Sequence, residues 1–125
     1  MNRLLKLTAI IEAATGLGLV AVPALIVRLL LGGEISGANI PLGRITGVAL
    51  LALGVACWVA SYDVRNRAAR GLVSAMSLYN LGVALILGAA GLQSRPVGIA
   101  LWPAVVLHAV MGTWSVASLR RKPSM

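Results

Sequence analysis

The sequence predicts an all-α fold, an integral-membrane up-down-up-down four-helix bundle, and three observations predict it. Hydrophobic residues make up 59% of the 125-residue chain and charged residues only 11%, against about 25% charged in a soluble domain. Such a chain cannot cover its own surface in water. Four apolar runs each approach the ~20 residues that cross a ~30 Å hydrocarbon core as a helix. The links between them hold ten, ten and four residues, and links so short turn consecutive helices antiparallel. Strands are not expected, because the runs are continuously apolar and lack the alternation of a lipid-facing barrel.

The first helix is expected at about 7–31, running from Leu7 to Val27 with Arg28 to Leu31 as an interfacial extension. Pro23 removes one backbone hydrogen bond in its outer half and bends it. Arg3 and Lys6 ahead of an apolar run imitate a signal peptide. Glu12 interrupts that run and more apolar sequence follows Pro23, so a retained helix is expected. The second helix is expected at 42–60, the third at 72–92 and the fourth at 97–119, separated by GGEISGANIP, SYDVRNRAAR and QSRP. Gly and Pro supply the stop signals. No polar segment is long enough for a second unit, and the whole of 1–125 is expected to be a single domain.

The formal charge of +8 would suggest nucleic acid on a soluble chain. Here the basic residues flank apolar runs, where anionic lipid headgroups are the expected partner and nucleic acid is not. Arg3, Lys6, Arg65, Arg67, Arg70, Arg120, Arg121 and Lys122 collect on one side, and Arg28, Arg44 and Arg95 with Glu34 on the other. The positive-inside rule then places both termini and the middle link in the cytoplasm. Trp102 and Trp58 fall at the two interfaces, the position of an aromatic belt, with Trp114 and Tyr62 nearer the cytoplasmic side. Cys57 is the only cysteine, which excludes an intrachain disulfide, a CxxC pair and a cysteine zinc cage. It reads as a small packing residue.

Small residues recur at helical spacing within each run. In the third, Ser74, Ser77, Asn80, Ala84, Gly88 and Gly91 share a face; the second has Gly43, Gly47, Gly54, Cys57 and Ser61, and the fourth has Ala104, His108, Gly112 and Ser115. Small side chains let backbones approach, and in lipid that approach drives association. Gly43 and Gly47 form a GxxxG, which offers a homodimer contact in a chain with 14 glycines.

Each apolar run also carries one strongly polar residue: Glu12, Arg44, Asn80 and His108. Polar groups at membrane depth are costly and rare. From a rise of ~1.5 Å per residue, Glu12 and Asn80 lie on the order of 10 Å inside the cytoplasmic edge, His108 near the midplane and Arg44 within about 5 Å of the outer edge. Glu12 shares its face with Thr8, Thr15 and Gly16. Glu12, Asn80 and His108 are therefore expected to point inward and converge. They either fix helix register through hydrogen bonds worth about 1 kcal/mol each, or form a cluster that binds a small ligand or passes a proton. Arg44 can snorkel to the outer headgroups; an ion pair with Glu34, or a cationic rim, is its alternative.

No Ser/His/Asp set, Walker loop or dinucleotide fingerprint is present, and HAVMG around His108 is not HExxH. A lone histidine falls short of a zinc or di-iron site, and no metal, cofactor or catalytic residue is expected. Paired axial ligation of a b-type haem would need His108 from two copies in a dimer. The run Gly43 to Tyr62, GRITGVALLALGVACWVASY, with Tyr79 and Asn80 and with LWPAVVLH ending at His108, resembles small four-helix bacterial membrane proteins of the DoxX-like or domain-of-unknown-function kind. The resemblance implies the four-helix architecture and a bacterial inner membrane, and it implies no activity. Three functions follow as expectations. The first is a non-enzymatic inner-membrane protein acting through helix contacts, as an accessory subunit or an oligomer. The second is a small transporter or channel-like protein using Glu12, Asn80 and His108. The third is a lipid-, quinone- or haem-binding protein with His108 as base or ligand.

Overall fold

The computed structural model describes residues 1–93 and 96–120. Arg95, Arg121 and Lys122, which entered the charge argument, lie outside them. Five helices follow one another: α1 Asn2–Ala21, α2 Pro23–Leu31, α3 Asn39–Ala60, α4 Arg67–Gln93 and α5 Leu101–Arg120. There is no strand among the described residues. Four of the helices, α1, α3, α4 and α5, are long and apolar enough to cross a membrane.

The first run is two helices rather than one bent helix over 7–31. Pro23 has no N–H to give to Leu19, and its ring disfavours a helical Val22, which sits at φ −136° and ψ 60°. The bend is sharp. A Cβ placed on Gly18 would lie 3.0 Å from the Ile26 side chain, although residues eight apart in a straight helix are about 12 Å apart along the axis. α2 ends at Gly32, whose φ of +76° is the left-handed conformation that glycine adopts without strain. The folded-back α2 is held at its far end by Ala100, whose N–H donates to the Leu29 carbonyl at 2.9 Å.

The other helices begin earlier or later than hydropathy alone suggests, because hydrogen bonding sets helix ends. α3 starts at Asn39 and α5 at Leu101, each two residues before a proline, Pro41 and Pro103. Proline is tolerated in a first turn, where its missing N–H would have had no helical acceptor. α4 starts at Arg67 because the Asn66 side chain accepts the Ala68 N–H at 3.0 Å, the bond of an N-cap.

Close contact pairs α1 with α3 and α4 with α5, while α3 and α4 touch far less. Both pairs are antiparallel. Gly16 meets Gly47 and Ala9 meets Gly54 in the first; Gly91 meets Leu101 and Gly112 meets Leu81 in the second. At Gly47 backbone meets backbone, since a Cβ there would stand 2.7 Å from the Gly16 carbonyl oxygen and 2.8 Å from the Val20 nitrogen. The Gly43–Gly47 motif therefore packs inside the chain, Gly43 against Pro23 and Gly47 against α1. The core that joins the two pairs gathers Leu4, Leu5 and Ala9 of α1, Cys57 of α3, Val73 and Met76 of α4 and Met111 of α5. Arg70 adds a tie at the same end, donating to the Leu119 carbonyl at 3.1 Å, where a cation complements the C-terminal end of the α5 dipole.

Candidate functional site

Asn80 of α4 and His108 of α5 meet across the second helix pair, His108 Nδ1 lying 2.8 Å from Asn80 Oδ1. The Asn80 amide nitrogen donates to the Met76 carbonyl at 2.8 Å. That second bond fixes the first. With Nδ2 committed to a carbonyl, Oδ1 can only accept, so Nδ1 of His108 carries the hydrogen and donates it. The Nε2 side of the ring is left for any other partner. Asn80 is buried and His108 half-buried, and a buried amide satisfied at both ends is a fixed point between helices.

Tyr79, one residue before Asn80, extends this contact toward α1. Its ring meets the His108 ring edge-on, with centroids 5.8 Å apart and planes at 79°, a favoured aromatic geometry. Its hydroxyl lies beside the Glu12 carboxyl. Glu12 is only 2% exposed, with Thr8 and Gly16 buried on the same face of α1. An enclosed carboxyl without such a neighbour would be strongly disfavoured. Cys57 is wholly enclosed beside it.

The arrangement is thus a file, Glu12, Tyr79, His108, Asn80, spanning α1, α4 and α5. Glu12 and His108 do not pair directly; the only ion pair among the described residues is Arg28 with Glu34 at 3.9 Å, both well exposed. That pair also gives Glu34 a cation other than Arg44. Arg44 itself is exposed on the first turns of α3. Among the described residues no three His, Cys, Asp or Glu side chains come together as a metal-ligand set.

The small-residue stripes fall on the packed faces except at Ser74, which begins the α4 stripe and is exposed. Gly47, Gly54, Ser77, Gly91, Gly112 and Ser115 are buried, and Gly43, Ala84 and Gly88 half-buried. Ser77 and Ser115 return their hydroxyls to the carbonyls one turn back, at 2.9 and 2.8 Å, so they contribute small size rather than bonds between helices. Tyr79 is the site residue that the polar pattern did not single out. Its signal was position: it stands midway along α4, Arg67–Gln93, where an interfacial aromatic does not belong.

Two grooves open elsewhere on the surface. One lies beside Gly91, Pro96 and Trp102, the other between α1 and α3 from Leu51 to Trp58. Neither is lined by Glu12, Asn80 or His108. No protein-family model, curated protein or solved structure matches the chain.

Proposed function

We propose that the chain is a multi-pass protein of a bacterial inner membrane that works through helix contacts, as an accessory subunit or an oligomer. One observation carries this reading: the buried polar groups are already spent, most of them on carbonyls one turn back in their own helix. Among the described residues no buried side-chain nitrogen or oxygen lacks a hydrogen-bond partner, whereas a site awaiting a ligand keeps unspent polar groups beside a cavity. The outward faces instead present large apolar side chains such as Ile45, Val48, Leu78, Leu85 and Ile86, suited to lipid or to another helix. Arg3, Lys6, Arg65, Arg67, Arg70 and Arg120 flank the same end of the antiparallel pairs, which supports cytoplasmic termini.

Extraction in a gentle detergent, followed by mass spectrometry of the intact assembly, tests the proposal. A partner in fixed ratio, or a defined oligomer, is the expected result; a lone monomer under every mild condition overturns it. Thiol labelling of intact cells tests the orientation. Ser36→Cys is expected to react from outside and Arg65→Cys only after permeabilisation, with the enclosed Cys57 silent in both; the reverse order inverts the topology.

The position of Tyr79 between Glu12 and His108 favours a second reading, a polar pathway for a proton or small ligand through the bundle. It requires Glu12 to exchange a proton. Glu12→Gln keeps the shape and removes that exchange, so proton-linked flux in reconstituted vesicles is expected to vanish if the pathway operates. Flux equal to that of the unaltered chain removes Glu12 from any relay.

A further inference from the structure

We propose that the outward groove between α1 and α3 is a binding site for one anionic phospholipid, with an acyl chain in the groove and the headgroup on Lys6. This rests on the membrane reading above. The groove has a volume of about 360 Å³ and is lined by Ala9, Ile10, Ala13, Leu51, Gly54, Val55 and Trp58. Its floor is the close approach at Gly54, where a Cβ would stand 3.1 Å from the Ala9 carbonyl oxygen and 3.2 Å from the Ala13 nitrogen. From Leu51 to Trp58 it runs about 10 Å along α3, at ~1.5 Å per residue. That is a slot along the hydrocarbon depth.

At the basic end the slot finishes in polar and aromatic groups. Trp58 meets Tyr62 edge-on, with centroids 6.3 Å apart, and Lys6 Nζ stands 5.6 Å above the Tyr62 ring. Lys6 lies one turn before Ile10 on α1, and Arg3 one turn before Lys6 on the same face. Lys6 has no carboxylate within ion-pair distance among the described residues. An apolar slot leading to an interfacial aromatic and an unpaired cation is complementary to a lipid tail and an anionic headgroup. A second copy of the chain fits less well. Copies in one membrane share an orientation, so a neighbour in the slot would bring its own basic end to Lys6 and Arg3.

The full-length chain, incorporated in bilayers and then released in mild detergent, is offered phosphatidylglycerol or phosphatidylcholine with identical tails, and bound lipid is counted by native mass spectrometry. Phosphatidylglycerol is expected to be preferred roughly fivefold, the equivalent of about 1 kcal/mol for one interfacial cation. Lys6→Gln should bring the two lipids to parity and Lys6→Arg should restore the preference. Val55→Trp, which fills the rim of the slot, should lower binding of both. Equal binding by the unaltered chain overturns the proposal. So does a preference that survives Lys6→Gln, which would assign selection to the basic end as a whole, or a second copy found in the slot in place of lipid. Failure to enter bilayers at all would instead overturn the membrane reading.

Discussion

Gly47→Ala is expected to destabilise the chain by about 1–3 kcal/mol, the usual cost of overpacking a well-fitted contact. Alanine in a helix interior is ordinarily favoured over glycine by up to about 1 kcal/mol, so the sign is decided by what the new methyl meets. At Gly47 it meets backbone, with the Gly16 oxygen at 2.7 Å and the Val20 nitrogen at 2.8 Å. Neither can rotate aside as a side-chain tip would. Relief requires α1 and α3 to separate, and separation loses the close packing that holds helices together in lipid. Gly54→Ala, whose nearest backbone atoms stand at 3.1 and 3.2 Å, should cost less. Gly82→Ala, with nothing within 4 Å, should be neutral or slightly favourable. Thermal unfolding in one detergent, followed by circular dichroism, gives the order. If Gly47→Ala is as stable as Gly82→Ala, the α1–α3 contact is not the close approach described; if Gly82→Ala alone dissolves an oligomer, that face of α4 is its interface.

The four long helices were legible because hydropathy and the ~20-residue length of a membrane crossing coincide in each apolar run. Their ends were not. Pro41 reads as a stop signal in a link but stands inside the first turn of α3, the fourth helix begins at Leu101 with Pro103 in its first turn rather than at residue 97, and Asn66 starts α4 well before its apolar stretch. Which helices pair closely was also hidden, since the Ser61–Arg70 link is as short as Gly32–Pro41, yet α3 touches α4 far less than it touches α1. Close approach follows backbone access, which Gly16 provides for Gly47. In the sequence Gly16 stands out only as a neighbour of Glu12, although its spacing from Thr8 and Glu12 places it on the inward face.

Within the polar file, Asn80 and His108 were legible through their small-residue stripes. Tyr79 was not, because it lies about 100° round the helix from Asn80, off the stripe, and passes for part of the apolar surface. Its recovery changes how Glu12 relates to the rest. Without Tyr79, Glu12 is a carboxyl on a separate helix; with it, the carboxyl of α1 stands beside a hydroxyl of α4. The apolar core of Leu4, Leu5, Ala9, Cys57, Val73, Met76 and Met111 still joins one close pair to the other, with Glu12 and Tyr79 side by side at that seam.

Replacing His108 with leucine is expected to destabilise the chain by about 1–3 kcal/mol, the cost of stranding a buried acceptor. The loss falls on Asn80 Oδ1, whose amide nitrogen is already committed to Met76, so a flip of the amide cannot recover it. The edge-on contact with Tyr79 is lost as well. Asn80→Leu should cost less than His108→Leu, because the half-buried imidazole keeps access to other partners. The double variant, Asn80→Leu with His108→Leu, should be more stable than the sum of the two single losses predicts, by about 1 kcal/mol, as found for hydrogen bonds between membrane helices. A double-mutant cycle on unfolding in detergent measures that coupling. Strict additivity would mean that Asn80 and His108 are neighbours without being bonded. The direction of donation adds a second expectation. Nδ1 carries a hydrogen whether the imidazole is neutral in this tautomer or protonated, so acidification should leave the coupling between Asn80 and His108 intact. A coupling that disappears in acid would require Nδ1 to be the acceptor, and with it the opposite setting of the Asn80 amide against the Met76 carbonyl.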